Sequence, residues 1–85
     1  MVTMTIEASD VLGQNVANVS NIPVDSTVHE LVQGLLPRMR LPRTDPEGRS
    51  LTYRARLDRE GRLLNGNELV GDSLLPRDRI VLQPN

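Results

Sequence analysis

Only one stretch of this 85-residue chain has the apolar spacing of a helix, and that stretch constrains everything around it. Val28, Leu31, Val32, Leu35 and Leu36 recur at i, i+3, i+4, i+7 and i+8, a single apolar stripe. Thr27 and Glu30 stand at capping-box spacing. The Thr hydroxyl can accept from the Glu30 amide while the Glu carboxylate reaches back to the Thr27 amide. Pro37 lacks an N–H donor and crowds the preceding turn, so the pattern predicts a helix over about 27–36. The flanking segments read as short strands and turns. One short amphipathic helix among strands must lie across one face of a sheet, which is an α+β layer arrangement with a single core.

Length leaves room for one domain, spanning 1–85. The apolar share is 38%, carried by Leu, Val and Ile, with Tyr53 the only aromatic residue. Cysteine is absent, so no disulfide supports the small core, and a reducing cytoplasm fits that usage. No apolar run approaches the length of a membrane span and no signal-peptide core follows Met1; a cytoplasmic location without membrane insertion is expected. The net charge of −1 provides no overall field toward nucleic acid or an anionic membrane. All ten basic residues are arginine, so in this lysine-free chain only the α-amine of Met1 could accept an isopeptide-type attachment.

Alternation locates the strands. Val2, Met4, Ile6 and Ala8 face one way and Thr3, Thr5 and Glu7 the other. Ser9 to Asn15 supplies a turn, with Gly13 as the left-handed residue. Val16 to Ile22 returns antiparallel. Ala17 and Val19 select one face and Val16 and Ile22 the other, a conflict that a bulge near Ser20-Asn21 resolves. Three prolines between Pro37 and Pro46 make the next segment an irregular crossover, pinned by Met39 and Leu41. Arg38, Arg40, Arg43 and Arg49 are expected to form a basic patch there. Leu51, Tyr53, Ala55 and Leu57 then point inward, with Thr52, Arg54 and Arg56 outward. Asp58 to Gly61 is a hairpin turn, Arg62 to Leu64 pairs back briefly, and Asp72 is expected to cap a short helical turn over 72–75. The last strand, Arg79 to Gln83, has Ile80 and Leu82 inward.

Taken in order, these elements resemble the β-grasp fold of ubiquitin-like proteins over nearly the whole chain, from about Met4 to Gln83. The resemblance rests on Val24 to Val28 at the start of the helix, on Leu41-Pro42 after the crossover, and on Leu57 to Leu69 around the short strand. It rests also on Leu74, Asp78, Ile80 and Leu82 at the end. The tail from Gly71 to Leu82 is most similar to bacterial ubiquitin-like proteins of the YukD/EsaB kind. The fold this implies is a mixed sheet of four to five strands packed on one helix. Conjugated members and sulfur carriers end in Gly-Gly, whereas this sequence ends Gln83-Pro84-Asn85. With no Gly-Gly tail, sulfur transfer is not expected, and Pro84 and Asn85 would be a reactive end only if a partner activates them.

No catalytic constellation is present in the sequence. His29 is the single histidine and has no nucleophile at helical spacing. One His and no Cys make a zinc site implausible. Asp58 and Glu60 flank a turn glycine, where turn chemistry accounts for both. Gly61, Gly66 and Gly71 follow no phosphate-loop pattern. The expectation is a non-enzymatic protein without cofactor or metal. In ubiquitin an apolar patch on the exposed side of the sheet is the main docking surface. The matching positions here are Arg54, Arg56, Val81 and Gln83, which would read an acidic or acceptor-rich protein partner. Missing lysine and interleaved aromatics argue against nucleic acid.

Two roles follow from the resemblance. One is a bacterial modifier-like component or adaptor of a ubiquitination-like pathway, meeting E1/E2-like enzymes. The other is a non-conjugated accessory subunit of a larger complex, in type VII secretion or a multicomponent oxygenase. A monomer or weak homo-oligomer is expected in either role.

Overall fold

The structure, a computed structural model, describes residues 2–84. Its elements are β1 (Thr3–Asp10), β2 (Val16–Pro23), α1 (Val28–Arg38), β3 (Tyr53–Leu57), β4 (Arg62–Leu63), the short α2 (Val70–Ser73) and β5 (Arg79–Pro84). The five strands form one mixed sheet in the order β2-β1-β5-β3-β4. The two central strands, β1 and β5, run parallel, and every other pair is antiparallel.

The alternation read from the sequence survives in three dimensions. Ile6 and Ala8 of β1, Ala55 and Leu57 of β3, and Ile80 and Leu82 of β5 are buried in one cluster with the α1 stripe. The β1–β2 register slips between Met4 and Ile6, so that Met4 faces Ile22 and Ile6 faces Val19. That is the bulge at Ser20-Asn21, and Asn21 takes the left-handed backbone (φ 61°) that asparagine tolerates. The extra residue turns both Val19 and Ile22 inward, and both are buried.

Helix α1 starts as expected and ends differently. Thr27 is the N-cap, and both halves of the capping box are formed at 3.1 Å. The next orphan amides are met by a remote loop: Val28 N–H donates to the Glu68 carbonyl (2.8 Å) and His29 N–H to the Gly66 carbonyl (3.0 Å). At the other end the helix passes through Pro37 to Arg38 rather than stopping at Leu36. The donor that Pro37 lacks would have served only the last turn. Arg40 then turns left-handed (φ 56°), its amide bonding the Pro37 carbonyl and that of Leu41 the Leu36 carbonyl. This is a Schellman closure with arginine in the position glycine usually takes. Leu41 thereby folds back toward Leu36, and Met39 is buried. The crossover is tied down again where the Tyr53 hydroxyl donates to the Pro42 carbonyl at 2.7 Å. Burial pushes that phenol up, so it keeps the proton it donates.

Asp72 does not cap α2. It lies inside the turn, whose N-cap is Leu69 with no side-chain bond. The first amides of the turn, Val70 and Gly71, donate instead to the carbonyls of Ser26 and Val24 (2.8 and 2.9 Å). Gly71 is needed for that approach. A Cβ there would stand 2.8 Å from the Val24 Cβ and 3.0 Å from its carbonyl oxygen.

Two glycine substitutions should therefore move stability in opposite directions. Gly34→Ala, in the α1 interior with nothing within 4 Å of the added methyl, should stabilise by up to about 1 kcal/mol. Gly71→Ala should destabilise, because Val24 backbone must shift. Urea unfolding midpoints of both variants check this.

Candidate docking surface

The core gathers both helices on one face of the sheet, leaving the other open. Strand register assembles that open face row by row. Ser9 of β1 lies beside Val16 of β2 on one side and Val81 of β5 on the other. Arg56 of β3 then pairs with Val81 and with Leu63 of β4. Val16, Ser9, Val81, Arg56 and Leu63 thus form one row across all five strands. Arg54 pairs with Gln83 in the next row. The four residues expected to carry recognition are brought together.

They do not contribute alike. Val81 points to the open face yet is only 7% exposed, and Ser9 only 3%, although no secondary-structure element covers them. Their cover is the surrounding side chains, and long arginine stems beside Val81 suit that role. Val81 therefore offers a partner little apolar area; Val16 and Leu63 are the exposed apolar side chains of its row, and Arg54 and Arg56 stand half-buried between strands. The Arg56 Nε is shielded from solvent and has no hydrogen-bond partner.

The other arginines divide into two groups. Arg59 grips Asp78 side-on, Nε and Nη2 each 3.1 Å from one carboxylate oxygen. Arg62 bridges Glu60 and Glu68 (3.3 and 3.2 Å), Arg49 bonds Asp45 and Glu47 in its own loop (3.1 and 2.8 Å), and Arg79 reaches Glu7 at 3.6 Å. Arg38, Arg40, Arg43, Arg54, Arg56 and Arg77 form no ion pair among the described residues.

The patch expected of Arg38, Arg40, Arg43 and Arg49 is not assembled. Arg49 is neutralised within the Asp45–Arg49 loop, while Arg38 and Arg40 flank Gln14 to Ala17 at the β2 edge. That edge lies three strands from Arg54 and Arg56, because strand order, and not sequence distance, sets lateral position. Of the C-terminal pair, Pro84 belongs to β5 and pairs with Tyr53, so the strand extends one residue past Gln83; Asn85 lies outside the described residues.

The remaining candidates sit apart from one another. His29 is exposed on the first turn of α1, and Glu60 is engaged by Arg59 and Arg62. Among the described residues no three metal-ligating side chains come together, and no helix is long and apolar enough to cross a membrane.

One residue that sequence reasoning underused is Asp78. The Arg59 hydrogen bonds hold its carboxyl below the usual carboxylate range, helped by the Leu75 amide (2.8 Å). It joins the β3–β4 turn to the turn before β5. The spacing Leu74-x-x-x-Asp78-x-Ile80 marks the position, and the partner Arg59 is visible only once the chain is folded.

This architecture is the ubiquitin-like β-grasp: a mixed five-stranded sheet with parallel central strands, wrapped around one helix. No family model and no curated protein matches the sequence. Solved structures do match the fold. A chain from the structure described as molecular mimicry of SUMO promoting DNA repair is 19% identical, with TM-score 0.71, covering 96% of this chain and 91% of that one. The ubiquitin of Caldiarchaeum subterraneum is 20% identical, with TM-score 0.73, covering 99% and 95%. A chain of the toluene 4-monooxygenase HD complex with the inhibitor 4-bromobenzoate is 16% identical, with TM-score 0.77, covering 99% and 100%.

The Asp78 clamp sets a pH dependence. Its folded pKa is lowered, so its contribution is complete above the unfolded value of about 3.9 and is lost as pH falls through the folded value. In urea unfolding, Asp78→Asn should be less stable than wild type at neutral pH. The gap should close in acid, below about pH 4. A gap that stays constant would remove Asp78 as the titrating group.

Proposed function

We propose that this protein is a docking module of the ubiquitin-like kind, recognising protein partners through the open sheet face around Arg54 and Arg56. The observation that carries this reading is the pair of arginines on adjacent rows of β3, neither neutralised by an ion pair among the described residues. A partner presenting carboxylates or backbone carbonyls can supply acceptors to two forked donors at once. The Arg56 Nε is shielded from solvent, so a carboxylate would meet this side chain end-on, through its terminal nitrogens. Gln83, paired with Arg54, adds an amide that can donate and accept. Val81, 7% exposed, is a lesser contact.

In this reading the chain is a modifier-like component or adaptor of a ubiquitination-like pathway in a bacterium, acting in the cytoplasm, with E1/E2-like enzymes among its candidate partners. Its likeness in fold to the ubiquitin of Caldiarchaeum subterraneum supports this role. A second reading, a non-conjugated accessory subunit, has its own support: the fold match to a chain of a toluene 4-monooxygenase complex extends over all of that chain, with TM-score 0.77. A secretion complex is the other assembly of this class.

Purification of the tagged protein from its host separates the two roles. A modifier gives a ladder of covalent adducts that survives denaturation, and a subunit gives a stoichiometric complex that does not. For the partner recovered, calorimetry with the Arg54→Glu/Arg56→Glu variant should show affinity reduced at least about tenfold. Arg49→Glu, in its self-neutralised loop, should bind as wild type. Equal affinity for wild type and the double variant would eliminate the open face as the docking surface.

A further inference from the structure

Two exposed apolar features lie at opposite ends of β1, outside the docking face. At one end the β1–β2 turn lifts Val11 and Leu12 into solvent, 58% and 75% exposed. At the other, a shallow groove of about 490 Å³ is lined by Val2, Met4, Leu69, Leu74 and Leu75, with Val2 70% and Leu75 56% exposed. The eight residues of β1 put about 25 Å between them. Neither feature can reach the other within one molecule.

The two ends are also opposite in charge. Arg40 precedes Leu41, which lines a hollow together with Val11 and Leu12, and Arg38 and Arg40 flank Gln14 and Asn15 of the same turn. Both arginines are exposed and form no ion pair among the described residues. Asp10, the nearby acid, is occupied by the Gln14 and Asn15 amides and the Asn15 side chain. The groove is rimmed by Asp25 and Asp72, also exposed and without ion pairs among the described residues. Arg77 follows the lining residue Pro76 and is not part of the lining.

From this complementarity we infer that the chain self-associates head to tail: the Val11-Leu12 tip of one copy enters the Val2/Leu69/Leu75 groove of the next, with Arg38 and Arg40 against Asp25 and Asp72. The contact joins two different patches, so it is heterologous and does not close at a dimer; repetition builds an open chain. The tip offers only two apolar side chains, where a stable interface buries roughly 800 Å² per partner, so association is weak and appears only at high protein or local concentration. The rim charges are exposed, so salt weakens it. The open sheet face stays free in such a chain.

Sedimentation velocity of the purified full chain over a concentration series tests this. The expected result is a sedimentation coefficient that rises with concentration without levelling at a dimer, and rises less in high salt. Leu12→Glu breaks the tip and Leu75→Glu breaks the groove, each at an exposed position; each should lower the association constant at least about tenfold. Mixing the two variants should restore a complex that stops at one copy of each, because only one intact tip and one intact groove remain. Thermal midpoints equal to wild type show that both variants are folded. A wild-type protein that stays monomeric throughout, one that levels at a dimer, a Leu12→Glu protein that associates like wild type, or a mixture that remains monomeric would each overturn the inference.

Discussion

Everything in this fold depends on how the first turn of α1 is held. Four helical amides point out of that end without partners of their own. Thr27 and Glu30 satisfy each other's amides locally, and the carbonyls of Glu68 and Gly66 take those of Val28 and His29 from far downstream. Thr27 also bridges Leu69, while α2 returns the arrangement by donating into Val24 and Ser26. The exchange stitches the segment before α1 to the segment after β4. Glu68 stiffens the far side, its carboxylate accepting from Ser73, Arg62 and the Asn65 amide, which together keep it ionised. The apolar stripe provides the driving force for packing α1 on the sheet, and these polar bonds decide at what height and angle it sits.

Much of this was legible in the residues because hydrophobic period is a local property. The helix, the inward positions of four strands and even the bulge follow from spacing alone; Val19 and Ile22 cannot both be buried in an unbroken strand. What was not legible depended on contacts between remote segments. The cap of α2 is a pair of distant carbonyls, so the nearby Asp72 was a reasonable but incorrect choice. The end of α1 is closed by an arginine in a left-handed conformation, where a reader expects glycine and finds only Pro37 as a stop signal.

The candidate site divides in the same way. That Arg54 and Arg56 point outward is local alternation, and that they face Gln83 and Val81 follows from the fold resemblance. The burial of Val81 is not local: β5 is the middle strand of the sheet, with neighbours on both sides. Nor could the sequence show that Arg38 and Arg40 sit at the opposite edge of the sheet from Arg54. Charges close in the chain are far apart in space, and Arg59 and Asp78, nineteen positions apart, are in contact. A basic face of this kind is defined as much by where the carboxylates have been spent as by where the guanidinium groups stand.

The irregularity at Ser20-Asn21 has a consequence beyond seating two core side chains. β2 is a border strand, and its outer row of backbone N–H and C=O groups is a template on which any extended peptide could zip up. The kink interrupts that template midway, leaving two short runs in place of one long one. A crowded, heated or newly synthesised population of this protein is thereby protected against runaway cross-β stacking, by a defect that a more regular ribbon would lack.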